Sequence, residues 1–175
     1  MHYMCIMQEG GTNMVCDVST ILNMEGASAP FSGSLESIRL APDVEVVRTQ
    51  LDGTITCRGG VLVLEAEVVA SVLTSCARCL KEITLPLTFD FGETLVLSGQ
   101  EITQDVDSVI FFEGKEIDVG EIAINNLLLN LSSKYLCSED CRGICPKCGK
   151  NLNEGDCDCD FVEIDERWEK LKNFK

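Results

Sequence analysis

Residues 61–75 read VLVLEAEVVASVLTS and run directly into Cys76-Ala77-Arg78-Cys79. Leu62, Leu64, Ala66, Val68, Ala70 and Val72 fall on every second position, and Glu65 and Glu67 take the intervening ones. Side chains alternate across a strand, so this period marks a long, half-buried β-strand that ends at a metal-type cysteine pair. Upstream, residues 44–51 and 54–58 read as two more strands. Asp52-Gly53 and Gly59-Gly60 read as the tight turns that close them, because DG and GG supply the positive φ of primed hairpin turns. Downstream, Leu85, Leu87, Phe89 and Phe91 alternate with Thr84, Pro86, Thr88 and Asp90. Proline cannot donate to a ladder, which predicts an edge at Pro86. Together these segments form an antiparallel meander.

The flanks are less regular. Residues 17–43 carry Gly26, Pro30, Gly33 and Pro42 and read as loop with one short strand or helix. A polar loop is predicted over 98–108, a strand over 109–112, a turn at Glu113-Gly114 and a strand over 115–118. The period then changes. Asp118 and Glu121 fit a capping box, and Ile122, Ala123, Asn126, Leu127 and Leu131 recur at helical spacing, which predicts a helix over 119–132. Past Leu136 six cysteines fall between 137 and 159 with few apolar residues, a segment unable to build its own core. Ile164, Trp168 and Leu171, with Arg167, Lys170 and Lys172, predict a short C-terminal helix docked through Trp168. The fold class expected is α+β: an antiparallel β-meander or barrel-like sheet, one or two helices, and a C-terminal Cys-rich zinc-binding segment. Residues 17–136 form the β-rich core domain and residues 137–175 the tail.

Residues 1–16 read as a non-native or disordered extension. The run from Gln8 to Asn13 back-translates into purine-rich GAAGGAGG just before the Met14 codon, the pattern of a bacterial ribosome-binding site, so translation is expected to start at Met14. His2 and Cys5 would then lie outside the native chain. No basic segment followed by an apolar one opens the sequence, so a cytoplasmic location and reduced cysteines are expected.

Composition excludes several classes. The chain has 175 residues, 45% hydrophobic and 25% charged, values of an ordinary globular protein rather than a disordered one. The apolar run at 61–64 is far too short to span a bilayer, so no membrane association is expected. Lys+Arg number 14 against Asp+Glu 29, a net charge of -15, which repels phosphate and favours basic or neutral partners. A single histidine among 175 residues leaves acid–base catalysis and His-rich metal sites without ligands, whereas 11 cysteines leave thiolate chemistry open.

Eight of those cysteines form four close pairs: Cys76/Cys79, Cys137/Cys141, Cys145/Cys148 and Cys157/Cys159. In Cys145-Pro146-Lys147-Cys148-Gly149 a tight turn lets backbone amides point at the sulfurs and orients both on one tetrahedral metal; Cys76/Cys79 is a similar knuckle. Eight thiolates match two all-thiolate, four-coordinate zinc sites, so one or two zinc ions are expected. The shortest closure groups Cys145, Cys148, Cys157 and Cys159 and leaves Cys76, Cys79, Cys137 and Cys141 to clip the tail onto the strand corner. A zinc-ribbon arrangement would instead join the two knuckles. Doubling a loop costs only about 0.6 kcal/mol, so closure entropy does not choose. Cys57 reads as a small core residue and Cys16 as a thiol without a paired partner. No catalytic residue is expected: a nucleophilic cysteine lacks a base, and a closed all-Cys zinc site lacks the open position that hydrolysis needs. The CPxCG knuckle favours zinc over an iron–sulfur cluster. The acidic run Asp156, Asp158 and Asp160 reads as solvated loop.

The Cys76-Ala77-Arg78-Cys79-Leu80 knuckle, the Glu116-Ile117-Asp118-Val119 lead into the helix, and the tail from Cys141 through Cys145-Pro146-Lys147-Cys148-Gly149 to Asn151-Leu152-Asn153 resemble the YceD family, named for large ribosomal RNA subunit accumulation. The resemblance spans residues 17–174. It implies a non-enzymatic role in accumulation or processing of 23S ribosomal RNA, hence large-subunit assembly, with no small-molecule substrate. Half of the positive charge sits in residues 137–175, and Arg142, Lys147 and Lys150 are the expected docking residues there. Two filled zinc sites would take the net charge to about -19. The expected partner is therefore a basic ribosomal protein, an assembly factor or a pre-50S particle rather than naked RNA. The alternative is a redox-switched, chaperone-like protein, since Cys-x-Cys with Cys-x2-Cys is the zinc centre of redox-regulated holdases.

Overall fold

The computed structural model describes residues 6–7, 13–100 and 109–159. Along the chain run β1 (Ile6–Met7), β2 (Met14–Asp17), β3 (Ser28–Leu35), β4 (Ile38–Ala41), β5 (Val44–Arg58), β6 (Val61–Ser75), β7 (Glu82–Leu97), β8 (Ile110–Phe112), β9 (Glu116–Asp118) and α1 (Val119–Asn130). The main sheet has the order β3-β5-β6-β7-β8, with β4 also on β5, and a smaller sheet has the order β1-β2-β9. All pairings are antiparallel except the short β7–β8 contact. The meander is as expected, but barrel-like closure is not formed: among the described residues β3 and β8 terminate an open sheet.

The alternation along β6 translates into burial: Leu62, Leu64, Ala66, Val68, Ala70 and Val72 all lie in the core, joined by Cys57, as expected for that thiol. Gly59 and Gly60, at φ +60° and +82°, make the tight turn between β5 and β6. Asp52-Gly53 makes none. Residues 44–58 form one continuous strand, with Gly53 opposite Phe31 on one side and Ala66 on the other. A Cβ at Gly53 would stand 2.6 Å from Phe31 Cζ and from the Glu65 carbonyl oxygen, and 2.7 Å from Ala66 Cβ. The glycine is required because the buried Phe31 ring crosses the strand there, and a strand glycine often marks such a close approach. Residues 17–43 likewise hold more order than expected: β3 pairs with β5 over its whole length.

The helix begins where its cap predicts. The Asp118 carboxylate accepts from the Glu121 N–H at 3.0 Å, and α1 buries Val119, Ile122, Ala123, Asn126 and Leu127. Asn126 is satisfied by donating to the Glu93 carboxylate and the Ile122 carbonyl, which anchors the helix beside β7. Met14 and Cys16 are buried in the core, so the boundary expected at residue 16 falls inside the fold. Cys16, expected to lack a paired partner, is disulfide-bonded. No helix among the described residues is long and apolar enough to cross a membrane. The predicted C-terminal helix with Ile164, Trp168 and Leu171 lies outside the described residues, as do His2, Cys5 and the loop 101–108.

Candidate metal centre

The strand β6 ends at Ser75, and the chain turns through Cys76 to Lys81 before β7. In that turn the Cys76 N–H donates to the Lys81 carbonyl at 2.8 Å and the Leu80 N–H to the Cys76 carbonyl at 2.9 Å, with Leu80 at φ +60°. The second knuckle repeats the pattern. The Cys145 N–H donates to the Lys150 carbonyl at 2.8 Å, the Gly149 N–H to the Cys145 carbonyl at 2.9 Å, and Gly149 has φ +74°. Leucine therefore occupies in the first knuckle the left-handed position that glycine takes in the second. In both, backbone donors converge on the first sulfur. The Lys147 and Cys148 N–H groups approach Cys145 Sγ at 3.4 and 3.5 Å, and the Cys137 N–H approaches Cys76 Sγ at 3.4 Å.

The eight paired cysteines gather in two groups, Cys76, Cys79, Cys137 and Cys141, and Cys145, Cys148, Cys157 and Cys159, with the sulfurs of each group within 4.8 Å of one another. The structure thus adopts the shortest closure and not a ribbon joining the two knuckles. Cys76 Sγ lies 3.8 Å from Cys141 Sγ, and Cys79 Sγ 3.6 Å from Cys137 Sγ. Those separations are far too long for disulfides, and they suit a tetrahedral metal: Zn–S bonds of about 2.3 Å place sulfurs about 3.8 Å apart. All eight thiols are free. An all-thiolate set is soft, and four ligands complete the tetrahedron, so both groups fit a closed structural zinc.

Electrostatics points the same way. The Cys79 N–H, with those of Arg78 and Cys137, holds the Cys76 thiol down at about 6, and the Cys148 and Lys147 N–H groups do the same for Cys145, also at about 6. Hydrogen bonding with Cys141 and burial push Cys137 up to about 12; Cys148 and burial push Cys159 up to about 12. Against burial, hydrogen bonds from Asn153 and the Gly143 N–H also hold Cys141 below its ordinary value, so each group favours at least one thiolate, and deprotonation of the remaining thiols at this spacing calls for a cation.

The two groups are bound to each other. Only residues 142–144 separate Cys141 from Cys145, and the Ile144 N–H donates to the Arg78 carbonyl at 3.1 Å. Gly143, at φ +78°, passes so close that a Cβ would stand 3.0 Å from that same oxygen. The Arg78 guanidinium reaches the other way to the carbonyls of Glu139, at 3.1 Å, and Cys141, at 2.9 Å. Asn153 bridges the groups from the second loop: its Nδ2 donates to Cys141 Sγ at 3.4 Å and its Oδ1 accepts from the Arg142 N–H at 2.8 Å. Asn151 Oδ1 in turn holds Asn153 Nδ2 at 2.8 Å. The Asn-Leu-Asn motif is thus a device for orienting a sulfur, a role that its position in the sequence does not reveal; nor does the knuckle spacing identify Arg78 as a clasp. Partners that orient a metal ligand are worth about 10–100-fold in metal affinity. Asn153→Ala is accordingly expected to weaken metal retention at the Cys76/Cys79/Cys137/Cys141 group by that factor, measured by competition with a chromogenic chelator, with the second group little changed.

The expected docking residues divide. Arg142 makes an ion pair with Asp156, and Lys150 Nζ donates to the Asp156 carbonyl; both contacts close the second loop at the surface, where the two side chains stay exposed. Asp156 is exposed, as read from the sequence, and is also their common anchor; the Arg142 guanidinium holds its carboxyl below its ordinary value. The Lys147 N–H is engaged with Cys145 Sγ.

Comparison with known proteins then bears on the whole arrangement. Residues 64–175 match the family described as large ribosomal RNA subunit accumulation protein YceD. The chain is 36% identical over 99 residues to the large ribosomal RNA subunit accumulation protein YCED homolog 1, chloroplastic, of Arabidopsis thaliana, covering 52% of this chain and 30% of that protein. It is 32% identical over 114 residues to uncharacterized proteins of Mycobacterium bovis and Mycobacterium tuberculosis, covering 64% of this chain and 54% of each. The chain thus spans from 30% to 54% of the length of these relatives. No solved structure matches it.

Proposed function

The chain belongs to the YceD family, and from that premise we propose that it is a non-enzymatic zinc-binding factor that supports accumulation or processing of 23S ribosomal RNA during large-subunit assembly. The observation that carries the reading is the coincidence of the family match with the metal centre: residues 64–175 begin inside β6 and include both knuckles, both four-sulfur groups and the Asn-Leu-Asn bridge.

Closed four-cysteine sites supply shape rather than chemistry, because no ligand position remains for a substrate or water. Zinc, when bound, would be held by the eight thiolates and would order residues 137–159 into one surface. A net charge of -15 supports a ribosomal protein, an assembly factor or a pre-50S particle as the partner in preference to free RNA, with the exposed Arg142, Lys147 and Lys150 as the docking residues of the tail. The eight free thiols of the two groups suit a cytoplasmic or organellar-matrix setting, where thiols stay reduced; the Cys16 disulfide departs from that expectation. The test is depletion in the source cell, reading the ratio of 23S to 16S RNA and the sedimentation profile of large-subunit particles. A fall in 23S RNA, restored by the wild-type chain, is expected; an unchanged ratio overturns the reading.

A further inference from the structure

The main sheet has an open side. β7 pairs with β6 from Glu82 to Leu95 but with β8 only at Leu95–Leu97, and among the described residues no other strand pairs with 82–94. The direction of the free groups follows from two positions. The Ser98 N–H donates to the Phe112 carbonyl across the β8 side, so even-numbered residues turn their N–H groups outward. Pro86, in unbroken register with Ser71, shares that parity and has no N–H to lose. Thr88, Asp90, Gly92 and Thr94 therefore present donors along the edge, directly continuing the line that β8 occupies further on.

The flanks of this edge are chemically distinct. On the inner side Leu85, Leu87, Phe89 and Phe91 are only half-buried, whereas the matching row of β6 is fully buried. On the outer side Asp52, Glu67 and Asp90 stand at one level on three adjacent strands, all exposed, with no ion pair among the described residues. Like charges directly opposite one another destabilise a sheet, so this row is not there for the fold. With Glu65 and Gly92 the three carboxylates line a shallow hollow that opens beside the edge.

We propose that the β7 edge from Thr88 to Thr94 takes an extended basic segment of a protein partner as an added strand. Its main chain pairs with the free donors, its lysine or arginine side chains enter the carboxylate hollow, and its alternate apolar side chains continue the Leu87–Phe89–Phe91 face. The proposal deepens the assembly-factor reading and rests on it for the kind of partner: a protein with basic extended tails.

The probe is a fluorescein-labelled octapeptide of alternating lysine and valine, with an alternating glutamate–valine peptide as control, titrated into the full metal-loaded chain. Only the basic peptide should bind, more weakly as salt rises. Asp90→Lys and Thr88→Pro should each reduce affinity by about three- to tenfold, the first by reversing a cross-strand charge and the second by removing an outward donor without touching the β6 ladder. In the free chain the Thr88, Asp90, Gly92 and Thr94 amides should exchange quickly with deuterium, and peptide should slow them. Protection of those amides without peptide means that another segment of the chain, such as residues 101–108, already fills the edge, and overturns the proposal. Binding that leaves them unprotected, or that both variants leave unchanged, overturns it equally. If 23S RNA falls on depletion while the peptide fails to bind, the family role stands and only the edge assignment is lost.

Discussion

Chelation of the metal-loaded chain is expected to release residues 137–159 while the meander of β5, β6 and β7 stays folded. The body holds a continuous core of buried residues from Met14 to Leu127. The tail has no such resource: its contact with the body is a small group of Cys76, Cys79 and Cys141 with Ile83 and Leu136 packed against it, plus the Arg78 bonds. Structural zinc in small peptides contributes roughly 10–16 kcal/mol, against about 5–15 kcal/mol for the stability of a whole domain, so the metal dominates the local balance. Circular dichroism should change little, since the tail contributes one isolated bridge, Ile144 with Asn151. Amide exchange is the sensitive measurement. The Ile144, Cys145, Gly149 and Leu152 N–H groups, all bonded to backbone carbonyls, should lose protection on chelation and the β6 amides should keep theirs. Retention of tail protection without metal would contradict the assignment. Cys145→Ser with Cys148→Ser should lower the zinc content from two equivalents to one.

The second large effect lies far from any cysteine. Gly53→Val is expected to destabilise the chain by about 3 kcal/mol, because the new side chain meets the Glu65 backbone oxygen, the Phe31 ring and Ala66 all inside 3.0 Å. For a chain of this size that is a fall in melting temperature of about 6–12 °C. Gly92→Ala provides the contrast. Its Cβ would come no nearer than 3.7 Å to the Leu64 carbonyl oxygen, and a shift within about 0.5 kcal/mol is expected. Equal melting temperatures for Gly53→Val and the parent would show that Phe31 does not cross the strand as described.

These two sites also mark how far the sequence could be read. The β6 alternation, the Pro86 edge among the described residues and the Asp118 cap were legible because each is a local pattern with one structural solution. Asp52-Gly53 misled because the same dipeptide serves a hairpin turn or a close crossing, and the difference lies in Phe31, a residue on another strand. Barrel-like closure failed for a related reason: strand number and register show in a sequence, but the pairing of the two outer strands does not. In the metal centre the eight ligands were visible as pairs. Their grouping was not, because closure entropy is nearly flat, and it is the Arg78 and Asn153 bonds that draw the first knuckle to Cys137 and Cys141. Arg142 and Lys150 stand exposed, as read from the sequence, but their shared contact with Asp156 was not legible, because it depends on how the loop between them turns.

The first sulfur group unites residues 58 to 65 positions apart in the chain. During synthesis at about 5–20 residues per second, Cys76 and Cys79 emerge roughly 3–12 s before Cys137 does. For that interval the knuckle is a two-handed grip on an ion that wants four. If the group takes a metal, the meander must condense first, and capture of the ion would close the maturation of each newly made chain instead of starting it.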